Sequence, residues 1–354
     1  MKVTQRQLMI LRAIIDDYIL TGIPVGSRTL SKRADINVSS ATIRNEMADL
    51  EEGGYLEQPH TSAGRLPSDK AYRLYVDTLM RVSNLQESEI RLIRNYFSNR
   101  MDQVEGIIDQ AAKVLSDVTN MTSLVLAPQI SRIEIKRIQI VKLSEGKALM
   151  LFVFDTGMVK DVMISIPRDM DSSYLEMLSN LLTEKVRSLK LHKAIEAVRA
   201  TMGVDMSDHR MFLNEMLDAV QQNMQHRRVG KEVVLGGTKN IFNHPEYRDV
   251  NKAQNFLQLL ETKDQLHDML SRATDMEFTI RIGKENEIDQ LKDMSVVTAT
   301  YKIGDETLGS FGVIGPTRMN YSKVISVMRC VSASMNEIMQ ACLTEGGPHK
   351  DERK

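Results

Sequence analysis

A chain of 354 residues is too long for one ordinary hydrophobic core, so two or three domains of roughly 100 residues each are expected. Its 42% hydrophobic and 26% charged residues are those of a globular protein, and no stretch approaches the roughly 20 apolar residues of a membrane span. The formal net charge is -1, and acids and bases balance even over residues 1–80, which excludes bulk charge as a sign of a nucleic-acid partner; only a local basic face would be one.

The segment from Met1 to Leu20 carries Arg6, Arg12, Asp16 and Asp17 within its apolar pattern, so it is neither a secretory nor a transit signal, and a cytoplasmic protein is expected. Thr4 with Gln7 forms a capping-box signature, and Leu8, Leu11, Ile15, Tyr18 and Ile19 then recur at helical spacing. Gly22 and Pro24 end that helix. A short second helix is expected from Ser27, its cap, to Ala34, with Leu30 inward and Arg28, Lys32 and Arg33 in solvent. After a turn at 35–38, Ser39 or Ser40 caps a third helix to about Glu52, in which Ile43, Met47 and Leu50 form the packed stripe. At about 100° per residue, Ala41, Arg44, Asn45 and Ala48 project away from that stripe. Arginine can fork onto guanine and asparagine onto adenine, so this face suits base edges. Glu51 and Glu52 fall at the far end of the helix. Gly53 and Gly54 stop it, and residues 55–67 then read as two short strands around a turn, a wing. Thr61, Ser62 and Gly64 offer donors to phosphate oxygens there, and Arg65 a charge or a minor-groove probe.

A further helix is expected from Ser68, with Tyr72, Tyr75, Val76 and Leu79 on one side, and a second capping box, Asn84 with Glu87, opens a helical connector to about Thr119. Strand patterns follow at 123–127, 133–143, 147–154 and 158–166, with a tight turn at 155–157, and then a helix capped by Ser172. Residues 191–275 read as mostly helical, broken by the apolar run Val233 to Leu235 and the Gly236–Gly237 turn. Strands return at 278–282, 295–301 and 308–314, and residues 320–343 close the chain as an amphipathic helix. The simplest account is one α+β domain whose early meander and later strands complete a single sheet around a helical insertion.

No chemistry announces itself. The seven His residues are scattered, and Cys330 and Cys342 lack partners at ligand spacing, so neither a metal nor any other cofactor is expected. Gly236-Gly237-Thr238-Lys239 lacks the loop of a phosphate cradle, and His244-Pro245-Glu246 reads as a loop between helices rather than an acid–base pair. A nonenzymatic protein is expected. The 23 methionines, many on apolar helix faces from Met170 onward, suggest an adaptable interior.

The run Thr4 to Gln7, the segment Gly22 to Arg28, the block Ser39 to Met47 and the wing His60 to Pro67 closely resemble the heat-inducible transcription repressor HrcA family. The likeness continues through Gly236-Gly237-Thr238, His244 to Tyr247 and Gly315 to Tyr321. It implies an α+β multidomain protein with a winged helix-turn-helix at 1–75 and a helical connector at 76–122. It also implies a discontinuous GAF-like domain at 123–190 and 276–345, a mainly helical dimerisation insertion at 191–275 and a flexible tail at 346–354. The implied function is repression of chaperone operons by a homodimer on an inverted-repeat DNA operator, dependent on a GroEL-type chaperonin. Arg28, Lys32, Ser39, Ser40, Ala41, Thr42, Arg44, Asn45, Thr61, Ser62, Gly64 and Arg65 are the expected DNA-contacting residues. Two other readings use the same residues: a metabolite sensor with a pocket at Gly315 to Arg318, and an adaptor whose helix-turn-helix meets protein.

Overall fold

The computed structural model describes residues 3–59, 64–97, 104–128, 134–155, 159–201, 212, 214, 216–218, 233–272, 277–303 and 306–345. The expected turn at 156–157 and the tail at 346–354 lie outside them, as do Thr61 and Ser62.

Helix α1 (Gln5–Thr21) is opened by the expected capping box, in which Thr4 Oγ1 accepts the Gln7 N–H at 3.2 Å and Gln7 Oε1 accepts the Thr4 N–H at 2.9 Å. It ends on Gly22, whose φ of 66° is the left-handed conformation that glycine adopts without penalty. Helix α2 (Ser27–Leu30) is shorter than expected and begins after Gly26, so Ser27 is not its cap but a buried residue whose Oγ accepts from Ser40 Oγ at 3.2 Å. Helix α3 (Ser40–Glu52) is capped by Ser39 and packs Ile43, Met47 and Leu50 into a core with Ile10, Leu11, Ile14 and Leu30. Strands β1 (Leu56–Glu57) and β2 (Leu66–Pro67) pair antiparallel as a small ribbon beside it.

Helix α4 (Asp69–Leu74) continues into a π-helical turn at Tyr75–Leu79, and residues 81–86 then have no regular secondary structure. The second capping box falls at Gln86 and Glu89, two residues beyond the expected pair, and opens α5 (Glu87–Tyr96). The connector is thus interrupted, and its last helix, α6 (Val104–Thr119), is not a free tether. It packs against β3 (Thr122–Leu126) and against the closing helix α11 (Tyr321–Glu345).

The expectation of one sheet does not hold. Strands β4 (Ile135–Ser144), β5 (Lys147–Phe154) and β6 (Val159–Ser165) form a separate three-stranded antiparallel meander. One face of it, with Ile138, Ile140, Met150, Phe152, Val162 and Ile164, is buried beneath α7 (Ser172–Val186), whose cap is Asp171 rather than Ser172. Two hydroxyls of α7 also satisfy the edge strand, since Ser179 Oγ and Thr183 Oγ1 accept the Ile140 and Ile138 N–H groups at 2.9 and 3.0 Å. Helix α8 (Leu191–Thr201) adds Ala194 and Val198 to this core.

The second sheet has five antiparallel strands in the order β7-β3-β10-β9-β8, with β7 (Val233–Gly236), β8 (Thr279–Ile282), β9 (Met294–Ile303) and β10 (Glu306–Pro316). Adjacent residues alternate between its faces. Val125, Val297, Phe311 and Val313 meet α6 and α11, whereas Leu124, Leu126, Val296 and Ile314 meet α9 (Val250–Glu261) and α10 (Lys263–Ser271). Residues 233–271, expected within the insertion, therefore supply an edge strand and a covering layer to this sheet. The chain leaves it after β3, forms the meander, and returns as β7 in register with Leu124↔Leu235 and Val125↔Val234.

Candidate nucleic-acid interface

The N-terminus of α3 is built from hydroxyls. Ser39 Oγ accepts the Thr42 N–H at 3.2 Å and lies 2.9 Å from Thr42 Oγ1, while Ser40 Oγ reaches back to α2. These side chains hold the turn between the two helices and fix how α3 leaves it. Beyond them Ala41, Arg44, Asn45 and Ala48 are all exposed on one side of α3. Arg44 makes no ion pair among the described residues, and the same holds for Arg28 and Lys32 on the neighbouring segment, both exposed.

Two other arginines behave differently. Arg33 was expected in solvent, but its guanidinium binds Asp35 through two bonds of 2.9 and 3.0 Å and Asp17 of α1 at 2.6 Å. The Asp35 hydrogen bond, foremost among these contacts, strengthens the proton's hold on Arg33. Arg65, at the base of the ribbon, donates from Nε to Glu51 at 2.8 Å and its Nη2 lies 2.7 Å from the same oxygen. A free wing charge was expected there, whereas the guanidinium is tied to the end of α3. The Arg65 backbone also exchanges two 2.9 Å hydrogen bonds with Val25, so the ribbon is pinned to the α1–α2 segment. Gly64 makes that approach possible, because a Cβ on it would stand 2.6 Å from the Val25 carbonyl. The Asp17 and Glu51 partners were not legible in sequence, since those pairs span 16 and 14 residues across different elements, whereas Asp35 stands only two residues from Arg33.

The structure also unites the loop of His244 to Glu246 with the Gly315 to Arg318 segment, which the metabolite-sensor reading took for a pocket. Glu246 and Arg318 form an ion pair, with a 3.2 Å contact from Nη2 to Oε2, at the C-terminal end of α1. Burial alone would raise the Glu246 carboxyl, but hydrogen bonds from Arg318 and the backbone outweigh it and hold the group below its ordinary range. Among the described residues no group of His, Cys, Asp and Glu could hold a metal ion, and no helix is long and apolar enough to cross a membrane.

The chain as a whole is similar to known proteins. The family model for the HrcA protein C-terminal domain matches residues 105–325. This chain belongs to the HrcA family. It is 41% identical over 336 residues to the heat-inducible transcription repressor HrcA of Brevibacillus brevis, covering 95% of this chain and 98% of that one. It is likewise 41% identical over 339 residues to the HrcA of Clostridium perfringens strain 13, covering 96% and 99%. A crystal structure of a hypothetical protein at 2.2 Å resolution superposes with a TM-score of 0.66 over 96% of this chain and all of that chain, at 21% identity, and so shares its fold. Membership of HrcA makes the chain a heat-inducible transcription repressor, and its relatives carry the names of repressors rather than of enzymes.

Proposed function

We propose that the chain represses transcription as a homodimer that binds an inverted-repeat operator, each protomer laying α3 in the major groove. The observation that carries this reading is the exposed α3 face, Ala41, Arg44, Asn45 and Ala48, flanked by the cations Arg28 and Lys32, which are exposed and make no ion pair among the described residues. Residues 1–75 then act as a winged helix-turn-helix, with the β1–β2 ribbon as wing. Thr61 and Ser62 belong to its proposed phosphate contacts, and Arg65 supports it through Glu51. The five-stranded sheet with its two helical layers is the GAF-like body, and the β4–β6 meander with α7 and α8 is the dimerisation unit inserted in it.

That unit has a surface suited to pairing. The meander face away from α7 exposes Val141, Leu143, Val159 and Met163, and Leu149 on the central strand lies directly between Val141 and Met163. An apolar sheet face of this kind needs a cover, and a two-fold copy supplies one. Dependence on a GroEL-type chaperonin is proposed on the family resemblance: a chaperonin occupied by unfolded clients would leave the repressor inactive and its operons open.

A gel-shift titration with an inverted-repeat duplex, with and without chaperonin, tests the reading. Arg44→Ala and Asn45→Ala are each expected to cost about 1–3 kcal/mol of discrimination at one base position. Lys32→Ala should weaken binding to every sequence and flatten the salt dependence. Equal losses on operator and random DNA for Arg44→Ala would remove it as a base reader.

A further inference from the structure

Among the described residues, hydrogen bonds, ion pairs and ring contacts join the head to the body at three places. At the first, Arg318 Nη1 donates to the Ile19 carbonyl at 3.3 Å while its other nitrogens hold Glu246. Ile19 lies in the last turn of α1, where carbonyls lack intrahelical partners and a cation is favoured, yet that turn contains no basic residue. The body supplies the missing cation. Arg318 is 13% exposed, and its guanidinium carbon lies 3.4 Å from where a Cβ on Gly22 would stand. Glu246 is in turn held in place, because Asn243 Nδ2 donates to Asn120 Oδ1 at 3.1 Å and the His244 ring lies 3.3 Å from the Asn120 carbonyl.

At the second, Arg73 of α4 pairs with Glu285 and donates to the Ile280 carbonyl at 2.6 Å, and Asp69 accepts the Lys284 N–H at 3.1 Å. Between the two lies the third, a buried contact of Tyr72 with Tyr321 at 6.0 Å between ring centroids. One contact leaves a pivot, whereas contacts at both ends with a buried ring pair between them restrain how the head can turn on the body. None of them involves Ala41, Arg44, Asn45 or Ala48, so the head is docked with its reading face open.

We propose that Arg318 is a positioning residue for operator binding: clamped by Glu246, it holds the end of α1 and sets the angle at which each protomer of the dimer presents α3. The inference rests on the DNA-binding reading above. Two heads held at a set angle bind a repeat of matching spacing as one bivalent event, and loosened heads lose that advantage without losing the contacts of either head.

The test compares full-length parent, Arg318→Ala and Glu246→Gln on three duplexes: one half-site, the operator repeat, and the repeat with half a helical turn inserted between its halves. Dimer mass and melting temperature are measured alongside. The parent should bind the operator far above the half-site and reject the shifted repeat. Both variants should lose about tenfold or more on the operator, change little on the half-site, and no longer distinguish the two spacings. Glu246→Gln keeps the side-chain volume, so it carries the test if Arg318→Ala does not fold, and Arg318→Lys should restore part of the spacing preference. Retention of the parent's spacing preference by Glu246→Gln, or equal losses on half-site and operator, would overturn the proposal. A parent that binds none of the duplexes would instead overturn the DNA-binding reading.

Discussion

Arg33, Arg44 and Arg65 carry the same charge within one small head, but their surroundings give them different work. Asp17 and Asp35 hold Arg33, Glu51 holds Arg65, and Arg44 is left to solvent. Exposed ion pairs contribute little stability, so the larger effect of Glu51 is to orient Arg65 at the ribbon base. Tyr72 presents the opposite case. Its ring is buried against Tyr321, while its hydroxyl is buried with no hydrogen-bond partner among the described residues. A buried hydroxyl without a partner costs on the order of 1–3 kcal/mol, and phenylalanine keeps the ring without that cost. Tyr72→Phe is therefore expected to melt no lower than the parent; a calorimetric melting temperature several degrees below it would show that the hydroxyl is satisfied in solution.

Among the elements, α1 and α3 match the expected bounds nearly to the residue, and the misplaced caps elsewhere share a cause. Several polar side chains near a helix start compete to cap it, and the winner depends on how the chain enters. Asp171 displaced Ser172 and Gln86 displaced Asn84, whereas Thr4 caps as expected and Ser39 is the one of the two expected serines that caps α3. The second helix stops at Leu30 because the next N–H groups, of Lys32 and Arg33, bond the Thr29 and Leu30 carbonyls three residues back, tightening the chain into a turn. The ribbon depends on Gly64 for a different reason than a turn does, since what matters is its close approach to Val25. Gly64→Ala should push the ribbon off the α1–α2 segment and cost about 1–3 kcal/mol, as overpacking commonly does. Faster hydrogen exchange at the Val25 and Arg65 amides would report it, and unchanged protection would mean the ribbon is not pinned there.

At the scale of the whole molecule, the two sheets divide the labour. The five-stranded sheet is covered on both faces, while the meander keeps one apolar face open. Met163→Glu on that face alters an exposed side chain, so the fold should tolerate it within roughly 0.5 kcal/mol. The proposed dimer should not tolerate it. Sedimentation should show a monomer with the parent's circular dichroism and weakened operator binding, and a variant that remains dimeric would move the interface elsewhere.

Most helix and strand positions, the helix-ending glycines Gly22 and Gly54 and the outward face of α3 were legible from the residues alone. They depend on periodicity and on capping or turn contacts within a few positions along the chain, which any local window contains. The pairing of β3 with β7 across the meander was not legible, although both runs read as apolar: a strand's pattern states which face is buried and not which partner lies beside it. That is why one sheet was expected where there are two. The same limit applies to the joint between head and body. Glu246, Arg318 and the end of α1 are brought together by packing among distant segments, so their chemistry as a clasp exists only once the tertiary structure has chosen which of those segments meet.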